Sequence, residues 1–294
     1  MLRSVLSLTI IIAAVYACSD EKSSCPGWKI LCKTNQAVRN LCKKTCGICK
    51  DEKKEKEEKC GISKVPNVEA VTSANAPPGA WPWVVSLQTT WGYQFCGGSI
   101  VSPNLIMTAA TCLITRQDTP AKIMVVAGAH DIKEKSEYEQ KIIAKSIIRH
   151  PAYDYDKRGS HNIALIELSE PLKMNDHVMN VCMPKQYTRP KVGDTCIYLG
   201  WGVPHQTSTT KLQQVPLSIL KNRRYLGYQY IDAKYQQSDK PSIAYGNPLV
   251  CQRADKTWQI DGVSNFRNSY SQYIAFSEVN TILKWLEEKE DKYL

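Results

Sequence analysis

No Asn-x-Ser/Thr sequon occurs in the 294 residues, so ordinary N-glycosylation is not expected. No internal repeat is present, and no low-complexity tract outside one short charged stretch, which excludes a repeat array. No metal-ligand cluster, phosphate-binding glycine loop or nucleic-acid motif is found, so neither a cofactor nor a nucleic-acid partner is expected. The five histidines (130, 150, 161, 177 and 205) lie apart in sequence and read as ordinary surface or loop residues. Long apolar runs are also scarce. The one candidate lies at the start, in MLRSVLSLTIIIAAVYA, and no second follows. That segment has a basic start at Arg3, an apolar run from Val5 to Val15 and a small residue, Ala17, at its end. The run is short for a span, so residues 1–17 read as a secretory signal peptide and no membrane span is expected.

What is abundant is cysteine. Twelve are present, an even number, and in a secretory context that favours disulfides over free thiols or metal ligands. Cys18, Cys25, Cys32, Cys42, Cys46 and Cys49 crowd together, whereas Cys60, Cys96, Cys112, Cys182, Cys196 and Cys251 are spread out. Two modules explain that distribution. Residues 18–49 are too few for a large core and need staples, with the pairing left open by sequence alone. Residues 50–59, KDEKKEKEEK, alternate charge without an apolar face and read as a solvated linker, in part helical. The formal net charge is +10, and the small module is its densest part, with seven Lys/Arg in 18–50 against Asp20 and Glu21. A basic balance favours anionic partners, and Arg223-Arg224 and Lys185–Lys191 are clusters for a polyanion.

From Cys60 onward, short apolar runs alternate with Gly, Pro, Asn and Asp turns: WVVSL (83–87), SIVSPNLIMTA (99–109), KIMVVAG (122–128), IALIEL (163–168) and CIYLGWG (196–202). This texture predicts an antiparallel barrel or sandwich. At the end, Val279, Ile282, Leu283 and Leu286 recur at helical spacing after Ser277, a candidate N-cap.

Three fragments carry a more specific signal: NAPPGAWPWVVSL (75–87), FCGGSIVSPNLIMTAATC (95–112) and NPLVC (247–251), with IALIEL, VCMP and CIYLGWG in order between them. Together they make residues 60–294 resemble a chymotrypsin/trypsin-type serine protease. The resemblance implies a mainly β fold, a double six-stranded β-barrel with a C-terminal helix, and bridges Cys60–Cys182, Cys96–Cys112 and Cys196–Cys251. It also locates the catalytic positions. The family's histidine lies in T-A-A-H-C, where this chain reads Thr108-Ala109-Ala110-Thr111-Cys112. Threonine is no base near neutral pH. The aspartate lies in D-I-A-L, and this chain reads Asn162-Ile163-Ala164-Leu165. An amide there favours the wrong imidazole tautomer, worth about 10⁴ in rate. The nucleophilic serine lies in G-D-S-G-G-P-L-V-C, and counting back from Cys251 places Tyr245 there. Neither Ser242 nor His161, the nearest replacements, lies in the turn the mechanism needs. The glycine whose N–H faces the developing oxyanion is Ile243, and the aspartate that pairs with a newly cut amino terminus is Ala244. The activation site R-I-V-G-G is Glu69-Ala70-Val71-Thr72-Ser73, so the chain is expected to stay uncut there. Asp239 falls at the base of the primary specificity pocket, and the pocket wall S-W-G is Asn265-Phe266-Arg267. Arg267 narrows that pocket and is a candidate partner for Asp239.

The spacing of the first six cysteines, ending Leu41-Cys42-Lys43-Lys44-Thr45-Cys46-Gly47-Ile48-Cys49, resembles the ShK toxin (ShKT) domain. The resemblance implies Cys18–Cys49, Cys25–Cys42 and Cys32–Cys46, and an ion pair between Asp20 and Lys44. The Lys-Tyr pair of channel-blocking members is replaced by Gln36-Ala37, with Lys43 or Arg39 as possible stand-ins. The expectation is a secreted, extracellular, non-catalytic protease homologue. It binds a protein partner (a protease, an inhibitor or a cell-surface component) and in addition polyanions. The alternatives are a toxin-like, channel-directed protein that carries the barrel, and an active endopeptidase.

Overall fold

The computed structural model describes residues 24–25, 31, 34–42, 45–46, 60–66, 74–115, 119–155, 161–185, 188–202, 210–225, 228–235, 242–267 and 273–293. By contacts the chain divides into two units, Met1–Glu58 and Lys59–Leu294. In the first, α1 (Gln36–Leu41) is opened by Asn35, whose Oδ1 accepts from the backbone N–H of Ala37 (3.0 Å) and Val38 (3.2 Å). This side chain satisfies donors the first helical turn leaves over. Val38 packs beside the Cys25–Cys42 disulfide, the small core of this unit. The expected signal segment 1–17, the bridges Cys18–Cys49 and Cys32–Cys46, the Asp20–Lys44 pair and the linker 50–59 fall outside the described residues.

The second unit is two closed antiparallel barrels. β2 (Val84–Thr89), β3 (Gln94–Ser102), β4 (Leu105–Thr108), β5 (Ile123–Ala127), β6 (Gln140–Arg149) and β7 (Ala164–Leu168) close in the order β2-β3-β4-β7-β6-β5. β8 (Thr195–Gly200), β9 (Gln213–Tyr225), β10 (Tyr228–Lys234), β11 (Pro248–Gln252), β12 (Trp258–Arg267) and β13 (Tyr273–Glu278) run β9-β10-β13-β12-β11-β8, and β8 pairs back onto β9. The two-residue β1 (Ala74–Asn75) adds to the outside of β9. Closure leaves no open sheet edge in either ring. Strand patterns follow the barrel wall. In β6, Ile142 and Ala144 are buried while Lys141, Ile143 and Lys145 face out. In β8, Cys196 through Gly200 are all buried.

Trp81 packs edge-on against both Trp83 (5.6 Å) and Trp258 (4.9 Å), and its Nε1 donates to Gln214 Oε1 at 2.8 Å. The segment leading into the first barrel is thereby fastened to β9 and β12 of the second. Disulfides join Cys60 to Cys182, Cys96 to Cys112 and Cys196 to Cys251, at sequence separations of 122, 16 and 55. Each constrains the unfolded chain, the longest loop most in the chain-entropy account.

One sequence expectation fails at the C-terminus. Ser277 is no helix cap but a buried residue of β13, paired with Tyr230 and Val263. The ladder runs on through Glu278, and a 3₁₀ turn over Val279–Ile282 then leads into α2 (Leu283–Tyr293). Val279, Ile282, Leu283 and Leu286 are all buried. Among the described residues no helix is long and apolar enough to cross a membrane.

Candidate functional site

Thr111 follows the end of β4 in a 3₁₀ turn, Ala110–Leu113, pinned to β3 by the Cys96–Cys112 bridge. Asn162 immediately precedes the segment that enters β7. β4 and β7 are neighbours, with Thr108 opposite Ala164, so barrel closure carries Asn162 to Thr111. The Thr111 backbone N–H (2.8 Å) and hydroxyl (2.9 Å) both donate to Asn162 Oδ1. With its proton committed there, the Thr111 oxygen accepts from the Tyr153 hydroxyl at 3.2 Å. Asn162 Nδ2 donates to Asn265 Oδ1 (2.8 Å), and Asn265 Nδ2 donates to Ser277 Oγ (3.2 Å). Asn162, Asn265 and Ser277 are buried, so this chain of neutral groups is satisfied away from water. It contains no group that takes up a proton near neutral pH.

Tyr245 sits in the turn before β11 and is 44% exposed. Its carbonyl accepts from Gly97 N–H at 3.1 Å, which ties the turn to the first barrel. Around it a second polar network holds the 243–247 segment. Ser264 Oγ donates to the Ala244 carbonyl (2.7 Å) and accepts from Asn247 N–H (2.9 Å). Asn247 Nδ2 donates to the Tyr198 oxygen (2.9 Å) and reaches the Ala244 carbonyl (3.2 Å), while Ala244 N–H approaches the Tyr198 hydroxyl (3.3 Å). Burial pushes the Tyr198 phenol far above its ordinary range, so it stays protonated. The Asn247 amide fills space left by Gly97 and Gly200, where a Cβ would collide with it. Gly246 adopts φ +82°, and a side chain there would run into Thr108 and the Gly97 carbonyl. Ile243 packs its side chain against the core of the second barrel, and Ala244 is buried.

The structure therefore brings Thr111, Asn162 and Asn265 together and sets Tyr245 in the adjoining turn. Ala70, Asp239 and the side chains of Phe266 and Arg267 lie outside the described residues, and the Asp239–Arg267 pairing with them.

The reading of the histidines as scattered needs correction. His150 follows the last residue of β6 and His161 leads into β7, and because these strands pair, the two imidazoles stack with centroids 4.6 Å apart and planes 3° from parallel. Trp285 packs edge-on against His150 and Tyr228 edge-on against His161. Burial, with the neighbouring His161, pulls the His150 pKa down to about 4, and burial lowers that of His161. His177 stacks on Tyr138 at 3.5 Å.

The two basic clusters are also less free than their sequences suggest. Arg223 Nε meets Asp232 Oδ2 at 2.6 Å and its guanidinium lies over Tyr230. Arg189 meets Glu278 at 2.5 Å and bonds Gln229. Asn222 Nδ2 donates to the Pro190 carbonyl at 2.9 Å, which draws the 188–191 segment against β9. Much of the local positive charge is thus spent on buried carboxylates. Arg224, Lys185 and Lys191 remain exposed.

Two closed barrels, a disulfide within each and a turn before β11 facing the end of β4 define a trypsin-like domain. The family model described as Trypsin matches residues 70–286, and the model described as ShK domain-like matches residues 17–49. The chain belongs to the trypsin family and carries an ShK-like domain at its N-terminus.

Sequence reasoning missed Tyr153, Asn265 as a partner of Asn162, and the Tyr198–Asn247–Ser264 network. Only Asn247 left a trace, as an asparagine in the glycine position ahead of Pro-Leu-Val.

Proposed function

We propose that this chain is a secreted, non-catalytic serine protease homologue that acts by binding other proteins. One observation carries the reading: the Thr111 hydroxyl donates its proton to the Asn162 amide oxygen, where acyl transfer needs an imidazole held by a carboxylate. The adjoining turn presents a phenol, Tyr245, in place of a serine hydroxyl. The signal-like segment and the disulfides support an extracellular setting. Binding then falls to surface turns and loops, which a rigid double barrel presents without needing chemistry.

The test is hydrolysis of a broad peptide-substrate panel by the purified chain, together with labelling by a serine-directed fluorophosphonate. Neither is expected above the buffer rate. Turnover abolished by Tyr245→Phe or Thr111→Val would overturn the reading. Restoring the triad residues in the Thr111→His, Asn162→Asp, Tyr245→Ser variant is expected to leave hydrolysis at background. Ile243 and Ala244 still occupy the oxyanion and activation positions, and one lost oxyanion donor alone costs about 10²–10³ in rate.

A further inference from the structure

The stacked pair His150 and His161 has no part in the reading above, and its surroundings give it a task. His150 N–H donates to the Ile163 carbonyl at 3.1 Å, just beyond the paired ends of β6 and β7. His161 is held by the bond from Ile163 N–H to its own carbonyl (2.6 Å) and takes φ +48°, which few residues other than glycine adopt. The backbones that carry both rings are thereby fixed. The imidazoles lie 4.6 Å apart, with Trp285 of α2 edge-on to His150 (4.9 Å) and Tyr228 of β10 edge-on to His161 (4.8 Å).

The turn after His150 hangs on this pair. Ala152 N–H donates to His150 Nδ1 at 3.2 Å, and the Ala152 carbonyl acts as an acceptor on His161. The next residue, Tyr153, donates its N–H to the His150 carbonyl (2.9 Å), and its hydroxyl bonds the Thr111 oxygen (3.2 Å). Pro151 and Ala152 are exposed, so the turn lies at the surface. An acceptor at Nδ1 places the ring proton of neutral His150 on Nε2. A further proton has to go to Nδ1, where it meets the Ala152 N–H, donor against donor. The same proton sets an imidazolium face to face with His161.

We propose that the His150–His161 stack is an acid latch. Neutral, it holds the 151–153 turn and, through Tyr153, the hydroxyl bonded to Thr111; with a proton on His150 Nδ1 it releases that turn while both barrels stay closed. Burial, and then the neighbouring His161, lower the His150 pKa to about 4, so the latch is shut at neutral pH. In the released turn His150 returns to its ordinary value of about 6.5. A pKa lower in the shut form than in the open one favours opening as pH falls between the two, and from pH 7.5 to pH 4.5 the opening equilibrium rises about 70-fold. Among the described residues, the charge that acts on His150 is that of His161. The packed elements also carry Arg149 on β6, Tyr153 and Asp154 on the turn, Tyr228 on β10, and Lys284, Glu288 and Lys289 near Trp285 on α2. Asp156, Lys157 and Arg158 precede His161 in sequence and sum to +1, which opposes a further proton. The latch does not depend on the binding reading.

The test is hydrogen–deuterium exchange of the full chain at pH 7.5 and pH 4.5, corrected for the intrinsic rate and read on fragments that cover 150–155, β4 and β7. Protection of 150–155 is expected to fall about 70-fold in acid, with β4 and β7 unchanged. His150→Phe keeps a ring in the stack and takes up no proton, so its 150–155 fragment should exchange at one rate at both pH values, although every neighbouring carboxyl group is still present. Loss of protection in β4 and β7 at the same pH overturns the proposal, because the fold and not the turn then answers to acid. So does a 150–155 fragment that ignores pH in the parent, or an acid response that persists in His150→Phe. If that variant does not fold, the parent decides: nitrogen-15 NMR of its histidines must show His150 Nδ1 gaining its proton over the pH range in which 150–155 opens. Either event without the other overturns the latch.

Discussion

The two barrels have the same strand number and closure, but they bury different things. The strands β2 through β7 enclose apolar side chains with a few hydroxyls and amides, Ser86, Gln88, Gln94, Ser99, Ser102 and Thr108, and the buried carboxylate of this half, Asp131, lies in the loop after β5 rather than on a strand. The second barrel buries three, Asp232, Asp261 and Glu278, alongside Asn247, Ser264, Asn265 and Ser277. The first is a packing problem and the second is also an electrostatic one. The polar side chains of β12 and β13 reach across to Asn162 and down to the Tyr245 turn, so the site around Thr111 and Asn162 leans on the barrel whose stability is tied to charge.

The sharpest way to break that contrast is to strand a buried charge. Arg189 is the described cation on Glu278, and its ion pair closes at 2.5 Å. Arg189→Ala leaves a buried carboxylate uncompensated and is expected to destabilise the fold by about 3–5 kcal/mol at pH 8 in urea denaturation. At pH 5 the loss should shrink, because burial already raises the Glu278 pKa and the stranded carboxyl then takes up a proton. Adding Glu278→Gln should recover much of it. In the first barrel, Leu105→Ala opens a cavity worth about 2–5 kcal/mol, with the same cost at both pH values. An Arg189→Ala loss that ignores pH would erase the distinction between the barrels.

Much of the fold could be read in the chain because strand runs, turn residues and cysteines all agree. The positions of Thr111, Asn162 and Tyr245 were legible because each is flanked by an anchor, Cys112, Ile163-Ala164-Leu165 or Pro248-Leu249-Val250-Cys251. What each side chain touches was not. His150 and His161 meet only because β6 pairs with β7, and Tyr198 meets Asn247 only because β8 pairs with β11. Arg189 and Arg223 look like free charge in a basic run, since the acids that hold them come from β10 and β13. Ser277 carries the local signal of a cap, and the sheet overrides it by pairing the strand one residue further.

Smaller effects sharpen the contrast through pH. In the second barrel, burial raises the Asp261 pKa to about 7, with Gln259 Nε2 bonded to its Oδ1 at 2.7 Å and Glu278 adding like charge. A carboxyl raised in the folded state contributes stability that is full below its unfolded pKa of about 4 and is lost as pH rises toward 7. The size is on the order of 4 kcal/mol, and Asp261→Asn should flatten this part of the stability–pH curve.

In the first barrel the sign reverses. His150 is lowered to about 4, so its contribution is full above its unfolded value near 6.5 and is lost as pH falls between the two. Because the imidazole is only half buried, the expected size is smaller, about 1–2 kcal/mol. His150→Phe keeps the stack between Trp285 and His161 while removing the proton site. It should therefore make the protein more acid-stable relative to neutral pH, whereas Asp261→Asn makes it less so. Melting temperatures of the two variants and the parent at pH 4.5, 6 and 7.5 read both slopes at once. Variants that shift in the same direction would mean that the two barrels do not couple to protons with opposite sign.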